Sequence, residues 1–330
     1  MRLKIPFGLD PFLLILLVDL ATATLLPCRG QTAVFFSRFT VAVIALLFFL
    51  HGAKLSRDAI WAGIGHWRLH LLVAVSTFVL FPALGLTVRA LGQGVLDPGM
   101  TAGILFLCLL PSTVQSSIAF TSIAGGNTPA AVCSATLSNV VGIFLTPVLV
   151  GLFMGARAKG GGVSIGSIEA IALQLLLPFI AGHLSRPLTL PLLNRVKPLV
   201  NLVDRGSILI VIYTAFSAAV VEGIWSKVSP GDIAMVLAIC VALLAVVMGA
   251  TTWAARAFGF SREDEIAIVF CGSKKSLASG VPMAGVLFPA AAVGAIIVPL
   301  MLFHQIQLMV CAVMARRYAA SAPKVAGAEG

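Results

Sequence analysis

Two adjacent lysines, Lys274 and Lys275, stand inside an apolar stretch, between IAIVFC and LASGVPMAGVLF. A lysine at the centre of a membrane span costs about 2.5 to 3.5 kcal/mol on insertion scales, so two together need a reason. The chemistry they offer is electrostatic, because a fixed positive charge binds an anion or replaces a metal cation. The alternative is that both side chains reach the membrane interface along their aliphatic stems. The apolar residues on both sides favour a polar cavity inside the membrane.

A second polar stretch, LPSTVQSSIAF, runs from Leu110 to Phe120. Pro111 removes a backbone donor and disfavours helix at Leu110, which predicts a broken helix in mid-membrane. A broken helix exposes carbonyl and amide ends that hold ions or anionic groups. Small residues can also serve helix packing alone, but CGSKKSLASG interrupts the second half of the chain in the same way, which favours binding. The two segments supply the predicted site residues Ser112, Thr113, Gln115, Ser116, Ser117, Ser273, Lys274, Lys275, Ser276 and Ser279.

Polar residues elsewhere are further candidates for this site. Those next to or within the predicted fifth span are Asn127, Ser134, Thr136, Ser138 and Asn139. Serine and threonine there can instead bond to their own helix. Asp19 either pairs with an intramembrane lysine or contacts a neighbouring helix end. In the last predicted span, a polar stripe typical of a helix interface is formed by His304, Gln305 and Gln307.

The elements that must position these residues are helices in a membrane. Of the 330 residues, 59% are hydrophobic and 10% are charged, and the mean hydropathy is +1.07. Soluble domains carry about 25% charged residues. The net charge of +10 comes from Lys and Arg between apolar runs, without interleaved aromatics, which argues against a nucleic-acid partner. The six cysteines show no metal-ligand spacing, so they are interpreted as packing residues.

Windows of about 20 apolar residues predict an all-α polytopic protein with ten spans, the first being retained rather than cleaved as a signal peptide. The spans are Pro11 to Pro27, Val34 to Leu50, Leu71 to Leu91, Ala102 to Ile123, Pro129 to Met154, Ile168 to Leu184, Ile208 to Val221, Ile233 to Trp253, Ile266 to Phe288 and Ala290 to Met314. Loops on the side of the N-terminus hold more Lys and Arg than those opposite. Both termini are therefore expected in the cytoplasm.

A glycine-rich stretch, ARAKGGGVSIG at residues 156–166, divides the chain into two halves. Residues 1–155 hold spans one to five, and residues 167–330 hold spans six to ten and a short cytoplasmic tail. An odd number of spans in each half predicts two inverted repeats. The interrupted spans, four and nine, then occupy equivalent positions.

Enzyme signatures such as HExxH, GxSxG and GxxxxGK[ST] are missing, and no carboxylate pair lies inside a predicted span. Glu263, Asp264 and Glu265 cluster at the start of the ninth span, as is typical of a solvated helix N-terminus. The sequence therefore predicts a protein that is not an enzyme and has no cofactor, except for sodium as a coupling ion.

The whole chain resembles the bile acid:sodium symporter family, and within it the SBF-like branch related to the seventh mammalian member. The matching stretches are ALLFFLHGAKLSRDAI, HWRLHL, LPSTVQSSIAFTSIAGGNTPAAVCSATLSNVVGIFLTP, QLLLPFIAGHLSRP, IVFCGSKKSLASGVPMA and FHQIQLMVCAVMARR, from about Asp10 to Arg317. The resemblance implies ten helices in inverted five-helix repeats, with a panel domain and a core domain. It also implies that helices four and nine cross at the substrate and ion site.

The sequence departs from this family where sodium is bound. Ser117 matches one of the implied sodium ligands. The other matching positions hold different residues, namely Ile118, Ala131, Ala135, Ser273 in place of Glu and Leu277 in place of Gln. One expectation is sodium near Ser117 and Ser273. The other is that Lys274 or Lys275 replaces sodium as a built-in cation, or releases a proton during the cycle and couples transport to pH.

Together these features predict a secondary transporter of an organic, anionic and amphipathic solute that works by alternating access. It is expected in the cell membrane, plasma or inner, with the lipid bilayer and a small organic anion as its partners. The alternatives are a membrane regulator or scaffold that kept the fold without transport, and a membrane enzyme. The sequence does not specify the substrate, the direction of transport or the oligomeric state.

Overall fold

A computed structural model describes residues 11–54, 66–92, 94–155, 165–223 and 229–321, and these ranges contain helices and turns but no strand. The helices are α1 (Pro11–Leu25), α2 (Gly30–Lys54), α3 (Trp67–Leu91), α4 (Pro98–Leu109), α5 (Gln115–Ile123), α6 (Thr128–Met154), α7 (Ile165–Arg195), α8 (Lys197–Val221), α9 (Pro230–Ala257), α10 (Arg262–Gly272), α11 (Leu277–Leu287) and α12 (Ala290–Ala320). Six of them, α2, α3, α6, α8, α9 and α12, are long and apolar enough to cross a membrane. The prediction of an all-helical, multi-pass membrane protein is confirmed. Both chain ends and nearly all of the predicted linker 156–166 lie outside the described residues.

Local signals in the sequence explain where several helices begin. Asp97 accepts hydrogen bonds from the backbone N–H groups of Gly99 and Met100 at the start of α4. Ser229 and Asp232 form a reciprocal capping box at the start of α9. Such caps satisfy N–H groups that have no partner inside the helix.

Two helices extend beyond the predicted spans. α7 continues past Leu184 to Arg195 in spite of two further prolines, and α8 begins eleven residues before the predicted Ile208. The charged residues that suggested a loop before Ile208 lie instead on the helix. One of them, Asp204, accepts a hydrogen bond of 2.6 Å from Lys54 Nζ at the end of α2.

The predicted fourth and ninth spans are each broken into two short helices, as expected. α4 and α5 contain 12 and 9 residues, and Leu110–Val114 lies between them. α10 and α11 contain 11 residues each, and Ser273–Ser276 separates them. We call these two breaks together the crossing, because they contact each other. None of the four short helices is long enough to cross a bilayer alone.

The broken helices lie at the centre of the molecule. Every residue from Met100 to Leu110 is buried, as is every residue from Glu265 to Leu277. Helices α3, α6, α9 and α12 pack around them. A second group, α1, α2, α7 and α8, packs together at the side and contacts the centre chiefly through α8 against α11 and α12.

Helix α3 carries a π-helical turn at Ser76–Leu80. The Phe81 N–H donates to the carbonyl of Ser76 rather than to that of Thr77. The next residue, Pro82, has no N–H to donate. The Thr77 carbonyl is therefore left without a donor from its own helix and can accept a hydrogen bond from another part of the chain.

Helices α2 and α7 approach each other at two glycines. A Cβ added at Gly52 would stand 1.9 Å from the Phe179 carbonyl oxygen, and one added at Gly182 would stand 2.0 Å from the Phe49 carbonyl oxygen. Real Cβ atoms do not come so close to backbone, so this contact requires glycine on both sides. Small residues permit the same kind of close helix packing in membranes generally.

We expect Gly182→Ala to destabilise the protein by about 1 to 3 kcal/mol, because the added methyl group forces the two backbones apart. Gly249→Ala is the matched control, since a Cβ at this position in α9 meets no atom within 4 Å. Thermal unfolding of the two purified variants should show a lower midpoint for the first only. Equal midpoints would contradict the close backbone contact.

Candidate substrate and ion site

The two halves of the crossing are joined by hydrogen bonds. The Ser276 N–H donates to the Pro111 carbonyl over 3.0 Å. In the opposite direction, the Ser112 hydroxyl donates to the Cys271 carbonyl over 2.5 Å and the Ser117 hydroxyl to the Phe270 carbonyl over 2.9 Å. The serines of one broken helix therefore satisfy carbonyls at the end of the other.

Lys275 lies in the break between α10 and α11 and is completely buried. Its Nζ donates to the carbonyl oxygens of Thr77 at 2.8 Å, Cys108 at 3.0 Å and Leu110 at 2.6 Å. It also stands 4.2 Å from the centre of the Phe81 ring. The ammonium is thus held by three backbone oxygens and an aromatic face.

The backbone of Lys275 is held by the side chain of Gln307 in α12. The Lys275 N–H donates to Gln307 Oε1, and Gln307 Nε2 donates to the Lys275 carbonyl, each over 2.9 Å. His304 Nδ1 is 2.8 Å from Gln307 Nε2. Gln307 is therefore part of the site, where the sequence indicated only a polar stripe.

Lys274 is equally buried but is held much less closely. Its Nζ lies 3.5 Å from the Ser116 hydroxyl, the limit of hydrogen-bond distance. The rings of Phe120 and Phe270 are centred 4.7 and 5.6 Å from it. The Ser116 hydroxyl donates in turn to Thr113 Oγ1 over 2.9 Å.

Helix α6 completes the polar network. Ser138 Oγ accepts from the Ser112 N–H over 3.0 Å, and Asn139 Nδ2 donates to the Ser112 carbonyl over 2.7 Å. The Ser279 hydroxyl donates to Asn139 Oδ1 over 2.7 Å, which connects α6 with α11. Ser276 Oγ caps α11 by accepting from the Ser279 N–H.

Four predicted site residues lie outside this network or at its edge. Asn127 caps α6 and donates to Asp264, and Ser134 Oγ is 2.6 Å from His70 Nδ1. The Ser273 hydroxyl donates to the Val269 carbonyl of its own helix, and Gln115 is exposed at the start of α5. Asp19 pairs with neither lysine, and one of its carboxylate oxygens is buried without a hydrogen-bond partner.

The acidic cluster lies in the first turn of α10, as predicted, and Glu263 is exposed, but the prediction of a solvated side chain was wrong for Glu265. Glu265 is only 6% exposed. The Arg256 side chain donates to both of its carboxylate oxygens, and the Tyr318 hydroxyl donates to one of them. Hydrogen bonds from Arg256 hold the pKa of Glu265 below its ordinary value; burial opposes this, and the Tyr318 hydrogen bond adds to it. The carboxylate therefore links α9, α10 and α12.

Because its pKa is lowered in the folded protein, ionised Glu265 stabilises the fold above about pH 4.5, and this contribution is lost as the pH falls through the lowered value. We expect Glu265→Gln to lower the unfolding midpoint at pH 7 and to flatten its decline below about pH 4.5. Glu263→Gln is the control, because Glu263 is exposed. The measurement is the thermal unfolding midpoint of each protein as the pH is lowered from 7. Parallel curves of midpoint against pH for wild type and Glu265→Gln would refute the expectation.

Comparison with known proteins identifies the family of this chain. Residues 10–320 match the SBF-like CPA transporter family. The chain belongs to this family. It is 57% identical over 310 residues to "Uncharacterized protein PA2026" of Pseudomonas aeruginosa and 55% identical over 310 residues to "Putative symporter YfeH" of Escherichia coli K12, in each case over 94% of this chain and 93% of the relative. It is 27% identical to "Sodium/bile acid cotransporter 7" of Danio rerio, over 83% of this chain and 82% of the relative.

Family membership places the crossing in a transporter that works in a membrane on a small-molecule substrate. The resemblance stated from the sequence is confirmed. The sequence did not predict which residues surround the two lysines. These residues are Thr77, Phe81, Cys108, Phe120 and Phe270. Only Pro82, which interrupts the third span, is a sequence signal for one of them.

The three carbonyl oxygens around Lys275 are not available to a sodium ion, whereas sodium near Ser117 and Ser273 stays a prediction. The hydroxyls of Ser117 and Ser273 donate to the carbonyls of Phe270 and Val269, respectively. The carbonyls of Thr77, Cys108 and Leu110 already accept from the Lys275 ammonium. A cation needs several oxygen atoms that converge and are not occupied by such donors.

Proposed function

We propose that the protein is a secondary transporter of a small organic anion, which binds at the crossing next to Lys274. The observation that carries this proposal is the pair of fully buried lysines, which form no ion pair with a carboxylate in the part of the chain that the structure describes. Buried charges are normally paired. An anionic substrate supplies the missing partner.

Lys274 is the better anchor of the two lysines. All three N–H donors of the Lys275 ammonium have carbonyl acceptors, whereas Lys274 has a single, long hydrogen-bond contact among the described residues. A carboxylate or sulfonate of the substrate would replace that contact with shorter, charge-assisted hydrogen bonds.

The surroundings of Lys274 fit an amphipathic solute. Phe120 and Phe270 provide apolar faces, while Ser116 provides a polar group. Ser116 is half-buried and Gln115 is exposed, so the crossing opens on this side. An exposed glutamine inside a membrane span faces water or a ligand, because hydrocarbon cannot satisfy it.

We further propose that the chain spans a cell membrane ten times in two inverted repeats, with both termini on the cytoplasmic side. The two broken pairs, α4–α5 and α10–α11, then take equivalent places in the two repeats. The group of α1, α2, α7 and α8 moves against the remaining helices and exposes the crossing to each side in turn. The tight contact between α2 and α7 lets this group move as one body.

Flux in vesicles tests the proposal. The purified full-length protein is reconstituted in proteoliposomes, and uptake of radiolabelled taurocholate is measured first, followed by uptake of a panel of other radiolabelled carboxylates and sulfonates. We expect saturable uptake above that of protein-free vesicles. Absence of uptake for the whole panel, with saturable binding retained, would instead favour the membrane regulator.

A further inference from the structure

Three backbone carbonyls converge on the Lys275 ammonium from two different helices. They belong to Thr77 in α3, to Cys108 at the end of α4, and to Leu110 just after it. Unwound carbonyls and the C-terminal ends of half-helices are the groups that hold coupling cations in transporters with broken helices. We call the carbonyl oxygens of Thr77, Cys108 and Leu110 the oxygen cage. Its chemistry is that of a cation site, and the Lys275 side chain fills it.

Each of these carbonyls is available for a definite reason. In a continuous helix the Ser112 N–H would donate to the Cys108 carbonyl, but after the break at Pro111 it donates to Ser138 Oγ. The Leu110 carbonyl lies beyond the last residue of α4, in extended backbone. The π turn and Pro82 leave the Thr77 carbonyl without a helical donor. Three carbonyls thus have no helical N–H donor, and all three accept hydrogen bonds from one ammonium group instead.

The geometry also matches a positively charged Lys275. An ammonium group has three N–H donors, whereas a neutral amine has two. Three acceptors at 2.6 to 3.0 Å therefore match the protonated form. The face of the Phe81 ring and the negative end of the α4 dipole attract the same positive charge.

We propose that Lys275 is a tethered cation, which permanently occupies the position that a coupling sodium ion would take at the crossing. The protein then needs no alkali cation to hold the two broken helices together. The consequence for transport, which rests on the proposed function, is that anion uptake does not depend on a sodium gradient. Lys274 is left to bind the substrate.

Thermal unfolding of the purified full-length protein tests this without any substrate. Wild type is measured in NaCl and in N-methyl-D-glucamine chloride at equal ionic strength, and we expect the same midpoint in both. Lys275→Ala opens the cage, so its midpoint should fall by several degrees in N-methyl-D-glucamine chloride. NaCl or n-butylammonium chloride, whose cation replaces the missing side chain, should restore more than half of that loss.

Lys274→Ala is the matched control, because it removes the same side chain from a position with one long hydrogen-bond contact. Its midpoint should not respond to the kind of cation. The proposal is overturned if wild type is stabilised saturably by sodium alone, if Lys275→Ala unfolds at the wild-type temperature, or if neither cation restores this variant. If Lys275→Ala does not fold, the comparison of wild-type midpoints in the two salts is sufficient to decide the proposal.

The unfolding measurement and the transport assay test the two proposals separately. Vesicles without anion uptake would refute the proposed function and leave the cation measurement unaffected. A sodium-stabilised wild type would refute the tethered cation and leave anion transport intact.

Discussion

Lys274→Met is expected to reduce the uptake of organic anions about 10- to 150-fold while leaving the protein folded. The loss corresponds to one charge-assisted hydrogen bond to the substrate, about 1.5 to 3 kcal/mol, at about tenfold per 1.4 kcal/mol. Methionine keeps an unbranched apolar stem against the rings of Phe120 and Phe270. Inside the protein the variant loses the contact with Ser116 Oγ at 3.5 Å and the attraction of the ammonium charge to the two rings.

Two further variants make this prediction specific. Lys274→Arg keeps the positive charge and should retain part of the uptake, whereas Ser116→Ala removes only a neutral hydroxyl and should have a milder effect than Lys274→Met. Initial uptake rates in proteoliposomes are compared at equal amounts of folded protein, judged by the unfolding midpoint. Wild-type rates for Lys274→Met would show that the substrate does not bind at this lysine.

The sequence predicts the broken helices well, because the signals for them are local. Pro111 and the adjacent polar residues are visible in one short segment, and the structure ends α4 at that point. The lysine pair is equally conspicuous in an apolar stretch. Both features follow from what a single residue does to a helix or to a bilayer.

The different roles of the two lysines are not predictable in the same way. They depend on which carbonyls meet the ammonium groups, and Thr77 is 198 residues from Lys275 in the chain. A π turn is needed to free that carbonyl, and of the residues involved only Pro82 is a recognisable signal. Sequence reasoning therefore left Lys274 and Lys275 as equal candidates.

Long-range partners also explain why Glu265 was wrongly predicted to be solvated. A Glu at the start of a helix is typical of a solvated end, and nothing near Glu265 in sequence contradicts this. Its partner Tyr318 stands 53 residues later at the end of α12. Likewise, Asn127 was placed at the crossing by its position near the fifth span, although its side chain binds Asp264.

Gln307→Leu is expected to destabilise the protein by about 2 to 6 kcal/mol. The side chain is completely buried and bonds to both backbone groups of Lys275, which lies in the break where no helix can supply partners. Leucine leaves one buried N–H and one buried carbonyl unsatisfied, at about 1 to 3 kcal/mol each. The break at Ser273–Ser276 should then lose its fixed geometry, and the ammonium of Lys275 with it.

Gln305→Leu is the matched control, since it makes the same chemical change two residues away, at a half-buried position in α12. Thermal unfolding of the two purified variants should give a markedly lower midpoint for Gln307→Leu alone. Gln307→Glu separates the two bonds, because a carboxylate still accepts from the Lys275 N–H but cannot donate to its carbonyl. An intermediate midpoint for this variant would show that both bonds hold the break in place, whereas equal midpoints for Gln307→Leu and Gln305→Leu would show that neither does.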